Sequence, residues 1–115
     1  VPNSAFRGAR ITSLVLSEGV KVVEDYAFMS TYITSLALPD SLREIGTYAF
    51  YTNKLTTVTG GEKTEKVGSM AFYPSKKLTM YVLAPSAMLD YARDNNIWYV
   101  AHDKNGAVIL PDQDL

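Results

Sequence analysis

Residues 33–50 read Ile33-Thr34-Ser35-Leu36-Ala37-Leu38-Pro39-Asp40-Ser41-Leu42-Arg43-Glu44-Ile45-Gly46-Thr47-Tyr48-Ala49-Phe50, and a step of 22 residues in either direction meets much of the same wording again. The pair Ala-Phe stands at Ala5-Phe6, Ala27-Phe28, Ala49-Phe50 and Ala71-Phe72. Ile11, Ile33 and Leu55 share a column, as do Leu14, Leu36 and Val58. Val20 aligns with Leu42, Val23 with Ile45 and Val67, and Gly46 with Gly68. One dipeptide kept at one period, with apolar columns in phase, marks a repeat architecture.

A unit this small cannot bury an apolar face alone. Stacked units bury a shared core, each touching only its neighbours. Within the quoted unit, Ile33 to Leu38 reads as a short strand, because Leu36 and Leu38 alternate with small residues. Pro39-Asp40-Ser41 turns the chain. Leu42, Ile45, Ala49 and Phe50 are spaced for an irregular or helical-turn return rather than a long helix. Ala-Phe is a small-then-large wedge that should fill the same buried slot in every coil. All coils run the same way, so the strands should be parallel, about 4.7–4.9 Å apart. The third unit is weaker: Thr64 replaces the apolar Val20/Leu42 position and Gly60-Gly61 replaces Leu38-Pro39. A looser coil is expected near residues 59–66.

The quoted phrase closely resembles the BspA-like class of leucine-rich repeats, whose pattern is L-x-x-I-x-L-P-x-x-L-x-x-I-G-x-x-A-F. The resemblance covers residues 1 to about 83. It departs in two places. Thr31, Asn53 and Ser75 stand in the region where that family often carries a cysteine. The first three units are also one residue shorter there than the family's common form. The fourth restores the longer form, since Leu78 lies six residues after Phe72 where Leu55 lies five after Phe50. The resemblance implies an α/β-type leucine-rich-repeat solenoid, a right-handed superhelix of mostly short parallel strands with irregular or helical-turn returns and a C-terminal helix-strand cap.

The C-terminal part leaves the period. Pro85-Ser86 opens a helix with Ser86 as its N-cap. Met88, Leu89, Tyr91 and Ala92 form its apolar side, and Asn95-Asn96 ends it, since asparagine tolerates the left-handed conformation. Ile97 to Ala101 reads as a strand, and Trp98 as a ligand platform or, the favoured reading, the anchor that seats the cap. Tyr91-Ala92-Arg93-Asp94-Asn95-Asn96-Ile97 resembles the family's closing segment. Asp103-Lys104-Asn105-Gly106 is a turn, and Ala107 to Leu115 reads as a last edge strand or the start of a linker. The expected organisation is one domain over 1–115, with about four 22-residue repeats in 1–83 and a cap and tail in 84–115. Val1 begins partway through a unit, without an initiator methionine or an N-terminal cap, so the chain reads as part of a longer protein.

Composition narrows the function classes. Apolar residues make up 47% and charged residues 20% of 115, ordinary for one folded domain. Eleven basic against 12 acidic residues leave a net charge of −1, which speaks against nucleic acid as a partner. The absence of cysteine excludes disulfides, thiolate zinc sites and cysteine nucleophiles. No apolar run is long enough for membrane insertion.

Stacking turns columns into ladders. Glu18, Asp40 and Glu62 share a column, which would set carboxylates about 5 Å apart. That spacing invites comparison with a retaining glycosidase pair or a calcium site. The preferred reading is a solvated turn neutralised by Lys21 and Arg43, with no metal and no cofactor. Tyr26 and Tyr48, followed by Met70, form one aromatic column, and Tyr51 and Tyr73 another. Such ladders can meet sugars or proteins, but structural stacking is the favoured reading. His102 is the only histidine. With no G-x-S-x-G elbow and no second histidine beside it, no catalytic residue is assigned. Gly60-Gly61 lacks the frame of a phosphate loop.

The expected function is a protein-interaction or adhesion scaffold without catalysis. The resemblance implies a bacterial cell-surface or secreted location, and a protein partner such as a host extracellular-matrix or cell-surface protein. Self-association stays open. The alternatives are an architectural spacer that projects another domain and, less favoured, a carbohydrate-processing enzyme. In a leucine-rich-repeat strand the third and fifth positions point outward. Here these are Ser13, Val15, Ser35, Ala37, Thr57, Thr59, Met80 and Val82. None is charged, whereas a freely solvated sheet face usually carries charges. This face is the candidate interaction surface, the alternative being a neutral β-face whose short side chains simply favour β geometry.

Overall fold

The computed structural model describes residues 1–52 and 54–109. Asn53, and the stretch of the expected last strand or linker beyond residue 109, lie outside the described residues. In chain order the elements are β1 (Leu14–Val15), β2 (Val22–Val23), β3 (Ser35–Leu38), β4 (Glu44–Ile45), β5 (Thr57–Gly60), β6 (Lys66–Val67), β7 (Thr79–Leu83), α1 (Ala87–Asp94), β8 (Trp98–His102) and β9 (Val108–Ile109). They build a solenoid with two sheets, ordered β1-β3-β5-β7-β8-β9 and β2-β4-β6. All pairings are parallel except β8 with β9. The 22-residue period is the pairing register itself: Leu36 sits between Leu14 and Val58, and Ile45 between Val23 and Val67. The returns hold a two-residue strand each, followed by a chain of turns.

The core lies between the two sheets. Leu36, Leu38, Val58, Met80 and Val82 enter it from the longer strands, and Val23 and Ile45 from the return. Ala-Phe closes each coil. Phe28, Phe50 and Phe72 are fully buried and stack nearly face to face at 5.3 and 5.4 Å between centroids. Ala27, Ala49 and Ala71 are wholly buried beside them. The backbone locks the same corner: the N–H groups of Phe6, Phe28 and Phe50 donate to the carbonyls of Ala27, Ala49 and Ala71 one coil on, each at 2.8 Å. The slot expected to be buried in all four coils is buried in three. Phe6 stacks on Phe28 at 5.2 Å but is 45% exposed, because a coil covers it on one side only.

The fourth coil corrects the sequence reading of the outward face. The extra residue between Phe72 and Leu78 does not carry into the strand, because β5 pairs with β7 as Thr57 with Thr79 and Val58 with Met80. Met80 and Val82 are therefore wholly buried, and Thr79 and Tyr81 take the outward positions. Strand side chains alternate with period two, so a slip of one residue would expel both core residues and bury Tyr81. Pairing to β5 forbids that slip.

The third coil, expected to be looser, keeps both ladders. Buried Thr64 donates its hydroxyl to the Leu42 carbonyl at 3.1 Å, which supplies the polar partner a buried hydroxyl needs. Gly60 has a φ of 84°, and a Cβ there would collide with the Leu38 carbonyl oxygen. The glycine is what allows two coils to approach at that corner.

Helix α1 starts and stops on the signals read from sequence. The Ser86 hydroxyl accepts the Leu89 N–H at 3.0 Å. At the other end Asn96 adopts φ 55°, and the N–H groups of Asn96 and Ile97 return to the carbonyls of Arg93 and Ala92. Met88, Leu89, Tyr91 and Ala92 are buried against the last coil. The Tyr91 ring meets Phe72 edge-on at 5.7 Å and ends the stack. Its hydroxyl oxygen accepts the Phe72 N–H at 3.2 Å, taking the place that an alanine carbonyl holds in the other coils.

Candidate interaction faces

The outward face of the six-stranded sheet changes character along the solenoid. Ser13, Ser35 and Ala37 are exposed, Thr57 and Thr59 half-buried, and Val15 is 83% exposed. Further on, Trp98 lies opposite Thr79, and Val100 opposite Tyr81. Tyr81 is 42% and Trp98 76% exposed. The face thus runs from small neutral side chains to an aromatic end, with no Asp, Glu, Lys or Arg at these outward positions. Trp98 does not anchor the cap; Ile97 and Ala101 fill the interior beside it. Thr79 and Tyr81 were missed in the sequence, and Trp98 entered it as a ligand platform only as the second reading. The signal that could have found the first two is a plain step of 22 from Thr57 and Thr59.

On the opposite side of the turn the acidic column does structural work. Both Glu18 carboxylate oxygens accept backbone N–H groups of the next coil, from Asp40 at 2.8 Å and Ser41 at 3.2 Å. Ser41 replies through its hydroxyl, which accepts the Gly19 N–H and donates to the Val20 carbonyl. Asp25 repeats the device, accepting the Thr47 N–H at 2.8 Å. These carboxylates are end-pieces of turns rather than a facing pair. Among the described residues no group of three or more His, Asp or Glu side chains is placed to hold a metal ion. His102 is half-buried, with its Nδ1 at 3.0 Å from the Asp103 carbonyl oxygen.

The tyrosines stack from the return into the segments that follow Ala-Phe. Tyr26 and Tyr48 lie parallel at 5.7 Å, with the Arg7 guanidinium 5.4 Å from the Tyr26 centroid. Tyr48 leans on Tyr51 at 5.6 Å, and Tyr51 on Tyr73 at 5.8 Å. One titratable group is perturbed by its setting: burial pushes the Tyr91 hydroxyl above the usual tyrosine range, opposed by its backbone hydrogen bonds at Phe72 and Ala71.

Parallel coils at a fixed 22-residue register, a buried Ala-Phe corner and a helix-strand closure define a leucine-rich-repeat solenoid, a repeat scaffold of the kind that typically serves protein interaction. A family model described as a BspA type leucine rich repeat region of six copies matches residues 1–95, and the chain belongs to that family. No curated protein and no solved structure matches it significantly. Among the described residues no helix is long and apolar enough to cross a membrane.

Proposed function

We propose that the chain is a non-catalytic adhesion module, displayed at a bacterial cell surface or secreted, which binds a protein partner on its exposed sheet face. The observation that carries this reading is the uncharged strip that runs from Val15 through Ala37 and Thr59 to Tyr81 and Trp98. Tyrosine and tryptophan dominate the energetics of protein interfaces, and charged residues are depleted at interface centres. Family membership supports both the scaffold role and the surface location. A host extracellular-matrix or cell-surface protein is the proposed partner class.

The test is binding to a panel of immobilised matrix proteins. Ala37→Glu, Thr59→Lys and Trp98→Ala should each weaken binding about tenfold or more, within the range of an interface hot spot. Matched changes at Lys21 and Arg43 should leave it unaltered. Binding lost with the second set and kept with the first would move the surface to the turns. Binding to nothing, with any variant, would favour an architectural spacer.

A further inference from the structure

Winding the chain into coils sorts its charges. The segments that lead from each Ala-Phe pair towards the next strand, 7–13, 29–34, 51–56 and 73–78, contain Arg7, Arg10, Lys54, Lys76 and Lys77 and no carboxylate. The turns and returns, 17–28, 39–50 and 61–72, hold seven carboxylates against four basic residues. The pairing register places each class of segment on the same arc of successive coils. The segments along one long edge thus carry only cations and those along the other are net acidic, although the chain as a whole carries a net charge of −1.

The cationic edge is also aromatic and hollow. Steps of 22 residues align Arg10, Tyr32, Lys54 and Lys76, and beside them Tyr51 and Tyr73. Tyr32, Tyr51 and Lys54 line a cavity of about 220 Å³. Tyr51, Tyr73, Lys76 and Lys77 line a second of about 430 Å³, so Tyr51 is the wall the two share. Tyr32 and Tyr73 are exposed, and Tyr51 and Tyr73 are tilted 34° to each other at 5.8 Å. Lys54, Lys76 and Lys77 are exposed and form no ion pair with a described carboxylate. Asp94 shares a third cavity with Tyr73 and Lys76.

We propose that this trough binds an acidic polysaccharide, a sugar chain bearing sulfate or carboxylate groups on successive units. Three features select that chemistry. The cations are strung along the axis, Arg7 and Arg10 on the first coil, Lys54 on the third and Lys76 and Lys77 on the fourth, which suits a polymer with spaced charges rather than one compact anion. The tyrosine rings between them offer flat faces for sugar C–H surfaces and hydroxyls for sugar oxygens. Equivalent side chains recur at the coil step of about 4.7–4.9 Å, close to the advance of one sugar along an extended chain. Duplex DNA, by contrast, presents a phosphate every ~3.4 Å along each strand, and nucleic-acid affinity rests on many phosphate contacts that five cations opposite an acidic edge do not supply. Each exposed contact is weak and screened by salt, so affinity comes from several lysines acting along one chain.

The experiment is calorimetric titration of the whole chain at low ionic strength with size-defined heparin fragments and, separately, with oligogalacturonate. Binding should be saturable and weaken as salt rises. Lys54→Gln/Lys76→Gln/Lys77→Gln should weaken it tenfold or more and flatten its salt dependence. Tyr73→Ala should weaken it several-fold at unchanged salt dependence. Lys21→Gln/Lys63→Gln, on the acidic edge, and Ala37→Glu, on the sheet face, should not alter it, which separates this site from the proposed protein-binding face. Response to heparin alone assigns sulfate as the recognised group, and response to both assigns either anion. The proposal falls if neither polymer binds, if the acidic-edge variant loses as much as the trough variant, if Tyr73→Ala has no effect, or if a single-stranded oligonucleotide binds more tightly than both sugars.

Discussion

A phenylalanine in this chain is worth what its neighbours make of it. Phe50 lies between Phe28 and Phe72 and is fully enclosed, whereas Phe6 has the same dipeptide context and one stacking partner. Phe50→Ala should therefore cost about 3–5 kcal/mol, the usual loss for a core phenylalanine, while Phe6→Ala should cost less than about 1 kcal/mol. Urea melts of the two variants check this, and equal losses would show that the slot is not what holds the coils together. The acidic column separates in the same way. Glu18 spends both oxygens on backbone N–H groups, and nothing gathers Asp40 and Glu62 around an ion. Calcium at millimolar concentration should leave the melting temperature unchanged, since a ligand that binds only the native state would raise it. A rise that Asp40→Asn abolishes would reverse that view.

The closing helix explains how a periodic stack stops. Every coil but the last hands its phenylalanine N–H to an alanine carbonyl one coil on. At Phe72 no such carbonyl follows, and the Tyr91 hydroxyl supplies the acceptor while its ring covers the open face of the stack. Tyr91→Phe keeps the ring and deletes the acceptor, so it should cost about 1–3 kcal/mol for a buried N–H left unpaired. The same residue sets an alkaline limit. Burial raises its folded pKa above the unfolded value of about 10, so in that range the folded state holds the proton more firmly than the unfolded state does. The stabilising contribution is full below pH 10 and is lost as pH rises through the folded pKa. Stability measured from about pH 9 upward should fall more steeply for the wild type than for Tyr91→Phe. The helix itself was legible in the sequence, because Ser86 and Asn96 are local signals for a start and a stop. The role of Tyr91 was not, because its partner is a backbone group 19 residues earlier that carries no side-chain signature.

At the scale of the whole molecule the solenoid was legible because period and pairing register are the same number. What escaped the sequence at the fourth coil came from letting one displaced leucine, Leu78, override the period. The longer loop before Leu78 suggested a shift that would have turned Met80 and Val82 outward, but strand pairing returns β7 to the 22-residue register and brings Tyr81 to the surface instead. Which loops share an edge was likewise hidden until the coils were stacked, although the charges were in plain view. If register rather than any single contact specifies the fold, one whole period should be removable. Deleting residues 29–50 joins Phe28 to Tyr51 and sets the third coil on the second. Leu14 would then face Val58, Val23 would face Val67, and Phe28 would stack on Phe72, each pair related by the step that now separates neighbours. Stability in such arrays is close to a sum of units and their interfaces, so the shortened chain should fold and lose one term of each kind. Its urea m-value should drop by about a fifth, in line with the surface no longer buried. Deleting 29–39 instead removes half a period, puts strand against return across the missing half-coil, and should abolish cooperative unfolding. Circular dichroism and urea melts of the two deletions decide the matter: if both fold, or neither does, the 22-residue register is not what specifies this solenoid.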